Sequence, residues 1–577
     1  MNAIKWFFSY LKKYRTKIIA ALFLVTLSSA LAVVNPFISG IVVDDVITKG
    51  IRNILPACIL ILIGTTLVRS ICRYIYLYIF ERVSQDMLYT IRDVVYRRFL
   101  DEDFRFYDKH RTGDLMSRQT GDMDAIRHFV AWVIYNVYEN SLLLIFALIM
   151  FFTVEIKLAL CMIAILPISI LLAYFQLKNV KPQFHNIRQH FSSLNTAVQE
   201  NISGNRVVKA FAKEDFEIQK FNKENDGYRD AELDSMKVWR KYVPVFEFLS
   251  SSLNVILYLV GGLMVINHSI TLGNLVTVSG YLWMLNNPLR MAGWLANDYQ
   301  RFVASVEKIY STIMEEPKIK QPKKAIKLKH LNGDICFNHV FYEAHDDVIL
   351  KDIHFIAHHG QTIGILGTTG SGKSTLMNLL CRFHDVTSGS ITIDGNDIRK
   401  MSLYNLRSHI GMAMQDVFLF SDTIEANIAY CDPDAQTDDV IEVAKIANAH
   451  QFIEEMPDGY HTIVGERGVG LSGGQKQRIS LARALMKDPS ILILDDTTSA
   501  VDMETEQQIQ QDMKAVAKNR TVFIIAQRIS SIMEADQILV LDHGCIIESG
   551  THKELLRKQG YYATVFEHQY GRKGGNE

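Results

Sequence analysis

The sequence predicts an α-helical membrane domain, with six transmembrane helices and long cytoplasmic extensions, fused to an α/β domain. Two observations support this fold class. Roughly the first half of the 577 residues carries long apolar runs, whereas the rest alternates short β-rich runs with helical patterns. A charged stretch that contains Pro317 and Pro322 separates the two parts and is typical of a solvated linker. We therefore expect a membrane domain at 1–314, a linker at 315–334 and an α/β domain at 335–577.

The apolar runs of the first half are long enough to cross a bilayer. A spanning helix needs about 20 mostly apolar residues. By this criterion the predicted spans are residues 18–41, 55–80, 130–153, 157–178, 244–267 and 273–296. The first run is too long for a signal peptide, and further apolar runs follow it. The sequence therefore predicts a multi-pass protein of the cell membrane.

The charges that flank the first span predict its orientation. Basic residues precede this span, at Lys5, Lys12, Lys13, Arg15 and Lys17. Such an excess places the N-terminus in the cytoplasm. Six crossings then return the chain to the cytoplasm, so we expect the α/β domain there as well. Segments 81–129 and 179–243 become long cytoplasmic helices in this topology.

Several polar residues lie within the predicted spans. They are Arg69 and Arg73 in the second span, Asn136, Glu139 and Asn140 in the third, and Glu247 at the start of the fifth. Ionisable groups inside a bilayer are costly and are usually functional or paired. Two interpretations stay open: a polar, water-accessible lumen with substrate contacts, or Arg–Glu pairing that fixes helix packing.

A phosphate-binding loop opens the core of the α/β domain. The pattern GxxxxGK[ST] follows the apolar run QTIGIL and precedes the helical pattern STLMNLLCRF. Glycines let backbone N–H groups surround phosphate oxygens, and the helix N-terminus adds its positive dipole. Lys373 would reach the β- and γ-phosphates of ATP, and Ser374 would offer a hydroxyl to Mg²⁺. The candidate ATP-binding residues are Gly367, Thr368, Thr369, Gly370, Ser371, Gly372, Lys373, Ser374 and Thr375.

Two further motifs follow the loop. The apolar run that begins at Ile491 ends in Asp495, whose carboxylate can hold Mg²⁺, usually through water. Between the loop and this strand lies LSGGQ, from Leu471 to Gln475, which leads into a basic helical pattern. A phosphate loop and Asp495 alone fit many nucleotide hydrolases. The intervening LSGGQ narrows the choice to a single superfamily.

These motifs resemble those of the ATP-binding cassette superfamily. Six spans followed by one cassette are similar to the bacterial multidrug-exporter type of half-transporter, over essentially the whole chain. Segments 105–124 and 194–214 resemble the intracellular loops whose tips dock on the cassettes. The resemblance implies ATP and Mg²⁺ as cofactors, a second half-transporter as partner, and a drug, lipid or peptide as substrate. The net charge of −1 gives no reason to expect nucleic acid as a partner.

The resemblance also implies roles for individual residues. Gln415 corresponds to the residue that senses Mg²⁺ and the γ-phosphate, Asp502 ends the D-loop, and residues 465–468 form an exporter-specific loop. Ser472, Gly473, Gly474 and Gln475 would bind the γ-phosphate held by the other cassette of a head-to-tail pair. Tyr342 is the candidate for stacking on adenine. Strand alternation could instead place Ala344 there, which leaves no stacking ring.

Two positions depart from the family pattern. The family has Glu where this chain has Asp496, and His where it has Gln527. The glutamate must sit within about 2.6–3.2 Å of the attacking water, and a misplacement of about 1 Å can cost on the order of 100-fold in rate. Glutamine cannot carry charge or pass a proton as imidazole can. This nucleotide site is therefore expected to bind ATP well and hydrolyse it poorly.

The intact LSGGQ serves the opposite nucleotide, so the pattern favours a heterodimer with one degenerate and one consensus site. A slow homodimer and an ATP-gated channel stay open as alternatives. A soluble cassette ATPase of translation or DNA repair is disfavoured by the six predicted spans.

Overall fold

The computed structural model describes residues 2–571 except 165, 323, 329, 345, 346, 466 and 467. The chain divides into two compact units. The first comprises Met1–Asp101 and His110–Glu316, and the second comprises Glu102–Lys109 and Pro317–Glu577. The short segment Glu102–Lys109, which lies in the sequence of the first predicted intracellular loop, thus belongs to the second unit.

The first unit is helical throughout its described elements. The helices of this part of the chain, with α4 counted in the second unit, are α1 (Ala3–Leu11), α2 (Arg15–Ile41), α3 (Leu55–Asp101), α4 (Phe104–Lys109), α5 (Thr112–Gln119), α6 (Gly121–His128), α7 (Ile134–Val154), α8 (Ile156–Ile163), α9 (Leu166–Ser203), α10 (Asn205–Ala210), α11 (Glu214–Ile256), α12 (Gly262–Ile266) and α13 (Leu272–Met314). Short π-helical segments extend three of the long apolar helices, at Val42–Thr48, Phe129–Val133 and Leu257–Gly261.

Four helical stretches of the described residues are long and apolar enough to cross a membrane. They are Ala3–Thr48, Arg52–Asp101, Thr112–Val154 and Glu214–Ile266. These stretches contain the first three predicted spans and nearly all of the fifth. The fourth and sixth predicted spans fall on α8–α9 and on α13, which are helical. The total of six crossings therefore stays a prediction.

The second unit contains two β-sheets and the helices that pack on them. Its strands are β1 (Ile335–Ala344), β2 (Asp347–Ala357), β3 (Thr362–Gly367), β4 (Ser388–Ile393), β5 (Asn396–Asp397), β6 (Ile410–Ala413), β7 (Ile491–Asp495), β8 (Thr521–Ile525), β9 (Gln537–Asp542) and β10 (Cys545–Gly550). Its further helices are α14 (Lys373–Leu380), α15 (Leu403–Ser408), α16 (Ile424–Ile428), α17 (Thr437–Ile446), α18 (His450–Glu454), α19 (Gly473–Met486), α20 (Met503–Ala517), α21 (His552–Lys558) and α22 (Tyr561–Tyr570).

The larger sheet has the strand order β10-β9-β3-β8-β7-β6. Its strands are parallel except for β10, which runs antiparallel to β9. Every residue of β7 is buried, as expected for a central strand covered on both faces. The smaller sheet is antiparallel, in the order β2-β1-β4-β5. Because parallel strands end on the same edge, the carboxyl ends of β3, β6, β7 and β8 lie along one edge of the larger sheet.

Two hydrophobic cores hold this edge in place. One packs buried side chains of both sheets against α14, with Ile363, Ile365 and Leu376 fully buried. The other packs the helices α16–α19 against strands β6, β7 and β8, with Ile424, Ile479 and Leu492 among its buried members. The strand ends and the loop before α14 are thereby fixed in a rigid frame.

Candidate functional site

The phosphate loop connects the central strand β3 to the helix α14. Gly370 and Gly372 have φ angles of +82° and +100°, a left-handed backbone that favours glycine. A Cβ atom at Gly367 would lie 2.2 Å from the carbonyl oxygen of Leu541, so this glycine permits a close backbone approach. Gly372 is the N-cap of α14 and offers no side chain to its first N–H groups. These free donors and the helix dipole suit an anion such as phosphate.

Lys373 lies inside the curve of the loop. Its Nζ donates hydrogen bonds to the carbonyl oxygens of Gly367, at 2.9 Å, and Thr368, at 2.8 Å. Burial lowers the pKa of the Lys373 ammonium, while the nearby carboxylates of Asp495 and Asp496 oppose that shift. An anionic phosphate in the loop would also favour the charged form of this lysine.

Ser371 provides a direct test of whether the loop fits a phosphate. Its side chain is only 2% exposed, and within the described part of the chain its Oγ atom has no hydrogen-bond partner. A buried polar atom without a partner costs roughly 1–3 kcal/mol. The buried hydroxyl and the glycine-lined curve therefore fit a bound phosphate group, whose oxygens could accept the missing bond.

Asp495 and Ser374 form the pair that could hold Mg²⁺. Asp495 ends β7 and is buried, and the Ser374 hydroxyl is near enough to its carboxylate to affect its ionisation. Burial raises the pKa of Asp495, the nearby Ser374 hydroxyl opposes this shift, and the charge of Asp496 adds to it. A carboxylate and a hydroxyl are the oxygen donors that Mg²⁺ prefers beside a phosphate. The donor set thus fits a nucleotide-bound magnesium ion.

Asp496 lies at the point where three strand ends meet. It has a φ angle of +51°, and its backbone N–H donates to the carbonyl oxygen of Ile525 at the end of β8, at 2.9 Å. The side-chain nitrogen of Gln415, which follows β6, lies 3.5 Å from an Asp496 carboxylate oxygen. Burial raises the pKa of Asp496. The structure therefore brings together Gln415 and Asp496, which are distant in sequence.

Gln527 also follows β8, but its side chain takes no part in this contact. The side chain is exposed, and no hydrogen bond joins it to Asp496 among the described residues. Its backbone carbonyl accepts a hydrogen bond from the Gln569 side chain at 2.8 Å. Gln527 thus lies on the correct edge of the sheet, with its amide free to turn toward a ligand.

The residues of LSGGQ, which we call the signature motif, lie at the N-terminus of α19. The Ser472 hydroxyl accepts from the Gln475 backbone N–H at 3.3 Å, and the Gln475 side chain accepts from the Ser472 backbone N–H at 2.8 Å. This capping box fixes the first turn of the helix. A Cβ atom at Gly474 would lie 2.8 Å from the carbonyl oxygen of Ala500, so the D-loop passes directly against it. Asp502 ends that loop as the N-cap of α20.

Gln477 is a residue of this region that the sequence analysis missed. Its side chain is buried and donates to the carbonyl oxygen of Asp496, at 3.3 Å, and the hydroxyl of Ser499, at 3.0 Å. Its side-chain oxygen accepts from the backbone N–H of Ala500 at 3.1 Å. Gln477 therefore connects the signature helix to the end of β7 and to the D-loop. The only sequence signal was a glutamine on the apolar face of a helix.

Glu506 is a second residue that the sequence did not point to. Its negative charge adds to the rise in the pKa of Asp496. Its carboxylate is buried and accepts from the hydroxyls of Ser531, at 2.6 Å, and Thr498, at 3.2 Å. It also forms an ion pair with Arg528 at 3.5 Å. These contacts occupy the Glu506 carboxylate. Glu506 therefore does not replace the longer glutamate side chain that the family has at the position of Asp496.

The prediction that Tyr342 stacks on adenine requires correction. Tyr342 is 3% exposed and packs in the core between the sheets, with its ring centre 5.6 Å from that of His384. A side chain this deeply buried presents no ring face to a ligand. Tyr342 points to the same side of β1 as the buried Val340. The alternative position, Ala344, ends the strand and carries no ring. Glu466 and Arg467 of the exporter-specific loop lie outside the described residues.

The similarity of this chain to known proteins extends over nearly its whole length. The family model for the ABC transporter transmembrane region matches residues 18–289, and the model for ABC transporter matches residues 350–499. The uncharacterized ABC transporter ATP-binding protein YknU of Bacillus subtilis is 41% identical over 99% of this chain and 98% of its own length. The putative multidrug export ATP-binding/permease protein YgaD of the same organism is 35% identical over 98% of this chain and 99% of its own.

A solved structure is also similar. It is described as a bacterial Atm1-family ABC exporter with ATP bound. It shares 29% identity with this chain, covers 96% of this chain and 99% of its own, and superposes with a TM-score of 0.83.

Proposed function

The chain belongs to the ABC transporter family, whose members are ATPase-coupled membrane transporters, and from this premise we propose that it is one subunit of a heterodimeric exporter. Its own site binds ATP with Mg²⁺ and hydrolyses it slowly. Its substrate is lipophilic or amphipathic: a drug, a lipid or a peptide. Relatives named as multidrug export proteins, 35% identical to this chain, support the direction of transport. We place the N-terminus and the ATP-binding domain, residues 335–577, in the cytoplasm.

The binding half of this proposal rests on the phosphate loop. Lys373 and the orphaned hydroxyl of Ser371 line a glycine curve at a helix N-terminus. Ser374 and the buried carboxylate of Asp495 are near each other and could together hold a nucleotide-bound metal ion. Bound Mg-ATP would supply the phosphoryl group, while these residues of the chain neutralise and orient it.

The observation that carries the slow-hydrolysis half is the geometry around Asp496. Asp496 has a short side chain and directly follows β7. Its carboxylate oxygen lies 3.5 Å from the side-chain nitrogen of Gln415, which is a long contact. The neighbouring buried carboxylate, Glu506, is occupied by hydroxyl groups and Arg528. A general base has to reach water at about 2.6–3.2 Å. With Gln527 in place of an imidazole, the site lacks both usual means of orienting and activating water.

The intact signature motif supports a different chain as partner. Ser472 and Gln475 form a complete capping box, which leaves the N–H groups of Gly473 and Gly474 at a helix N-terminus. That terminus suits the γ-phosphate of a nucleotide held by another cassette. A chain with a weak site of its own and a complete signature motif gains most from a partner that has Glu and His where this chain has Asp496 and Gln527.

The experiment that tests this proposal measures phosphate release by the purified chain in lipid nanodiscs. We expect the chain alone to be slow and the double change Asp496→Glu with Gln527→His to be faster by about ten- to a hundred-fold, or about 1.4–2.7 kcal/mol of barrier. Each single change should give a smaller gain. Lys373→Ala in the repaired background serves as the control for contaminating ATPase. If the unmodified chain hydrolyses ATP as fast as the repaired one, the chain is a working homodimer and the proposal is overturned.

A further inference from the structure

A row of polar side chains follows one helix of the membrane unit. Within the apolar part of α3 it comprises Thr65, Thr66, Arg69, Ser70 and Arg73. The Thr65 hydroxyl donates to the Asn35 side chain of α2 at 2.7 Å, which turns this part of the row toward a neighbouring helix. Arg69 and Arg73 are one helical turn apart and lie on the same side of α3. The row therefore places two arginines on one side of a helix that is long and apolar enough to cross a membrane.

Glu139 is a carboxylate on which both arginines act. Arg69 and Arg73 are the basic groups that act electrostatically on Glu139 of α7. The Glu139 carboxylate is held by the hydroxyl of the buried Tyr76 at 3.4 Å. In the described part of the chain no Asp or Glu oxygen lies within 4.0 Å of a side-chain nitrogen of either arginine. The cluster of Arg69, Arg73 and Glu139 therefore carries a net positive charge, and neither arginine is neutralised by a close ion pair.

An aromatic ring completes the cluster. The Arg69 guanidinium lies 5.8 Å from the ring centre of Trp283 on α13, so helices α3, α7 and α13 converge here. The Trp283 side chain is 41% exposed in the single chain. An aromatic face beside a cation offers an apolar surface next to a charged one.

The charge balance distinguishes binding from packing. An arginine at the bilayer centre is costly even on insertion-based scales. One arginine paired with Glu139 would be enough to hold two helices together. The second arginine is not needed for such packing, and burying its charge in the membrane costs further free energy. An anion bound between the two guanidinium groups would offset that free energy.

We propose that the cluster of Arg69, Arg73, Glu139 and Trp283 binds the anionic head group of an amphipathic substrate, with its apolar portion against Trp283. The proposal deepens the exporter function proposed above and rests on it. Carboxylate and phosphate head groups share the chemistry that two guanidinium groups recognise. A cationic amphiphile would face net repulsion at this cluster.

The test is ATP-dependent uptake into inverted vesicles that contain the full transporter. The probes carry one fluorescent twelve-carbon tail with a carboxylate, a phosphate or a trimethylammonium head. We expect uptake of at least one anionic probe and little uptake of the cation, and the carboxylate and phosphate arms show which head group is preferred. Arg73→Gln should reduce anion uptake about ten-fold, the loss of about one charge-assisted contact. Arg73→Lys should retain part of it, and Arg73→Glu should shift preference toward the cation.

The matched control is Arg82→Gln, farther along α3, where the guanidinium donates to Tyr78 at 3.1 Å. It should leave head-group preference unchanged. Uptake of the cationic probe in preference to both anionic probes would overturn this inference and leave the exporter proposal standing. An equal loss for all probes in Arg73→Gln, with no change in preference in Arg73→Glu, would assign the cluster to packing alone. No uptake of any probe would also overturn the inference. The proposal of a slow ATP site is tested separately, by the measurement of phosphate release.

Discussion

Individual side chains around the phosphate loop destabilise the domain without nucleotide and stabilise it with nucleotide bound. Lys373 and Asp495 are both buried, and burial disfavours the charged form of each. The Ser371 hydroxyl is buried without a partner. These groups destabilise the ligand-free domain and become favourable once phosphate and metal reach them. The residues that favour nucleotide binding are thus residues that lower the stability of the ligand-free domain.

Lys373→Ala should weaken nucleotide binding at this chain's own site. A charged hydrogen bond to phosphate contributes about 1.5–3 kcal/mol, so we expect binding to weaken by about ten-fold or more. The measurement is the number of ATP molecules bound to the assembled transporter, with the exposed Lys351→Ala as control. Unchanged occupancy of both sites would show that the phosphate loop is wrongly assigned.

Asp495→Asn should stabilise the ligand-free domain at neutral pH. Because the folded pKa of Asp495 is raised, its ionised form costs stability above that pKa, and the cost fades as pH falls toward the ordinary value. The melting temperature of the variant should therefore exceed that of the parent without nucleotide, with a gap that closes on acidification. Mg-ATP should stabilise the parent more than the variant. The exposed Asp434→Asn should show neither effect, and a lower melting temperature for Asp495→Asn at neutral pH would contradict this interpretation.

At the scale of elements, the signature helix α19 and strand β7 are physically joined within one chain. Gln477 of α19 holds the carbonyl of Asp496 and the backbone of Ala500. The D-loop that contains Ala500 also passes against Gly474. The end of β7 is therefore linked by direct contacts to the signature motif, which serves the other nucleotide.

Ser472→Asp should abolish most ATPase activity of the assembled transporter. Aspartate keeps the N-cap of α19 but places a negative charge where the partner's γ-phosphate would approach. Ser472→Asn, which also caps well, should lose far less, and Asp496→Asn should have a much smaller effect than Ser472→Asp. Steady-state phosphate release by the three variants decides the matter. An equal collapse in Ser472→Asp and Asp496→Asn would contradict the asymmetric arrangement.

At the scale of the whole molecule, one chain carries a complete signature and an incomplete hydrolytic site. Two copies of this chain would pair Asp496 and Gln527 with an intact Ser472 at both nucleotides. A partner with Glu and His at the matching positions would give one hydrolytic site and one site that mainly binds. The second arrangement makes use of every motif present in the chain.

Coexpression with such a half-transporter should therefore restore turnover to a chain that is slow alone. We expect the mixed complex to release phosphate about ten- to a hundred-fold faster than the purified chain. Affinity copurification followed by mass spectrometry should recover a half-transporter of different sequence. Recovery of this chain alone, with full activity, would show that the functional unit is a homodimer.

The sequence by itself determined the two fold classes, the four apolar helical stretches that the structure describes, and the phosphate loop. These features are local: a spanning helix needs only a long apolar run, and the loop needs only a strand, glycines and a helix in succession. The alternation of short β-rich runs with helical patterns also predicted the α/β class of the second domain. The positions of Lys373, Ser374 and Asp495 followed from motif and context alone.

Only the tertiary structure decided which distant residues meet. Strand order places β8 between β3 and β7, and this brings Gln415, Asp496 and Gln527 to one edge from separate parts of the chain. Tyr342 was misjudged because β1 has irregular register around it and its inward face is set by packing against β2 and β4. The contacts of Gln477 depend on packing between α19 and β7, and the cluster around Arg73 depends on the convergence of three helices. Long-range contacts of this kind arise from packing, which residue spacing along one element does not specify.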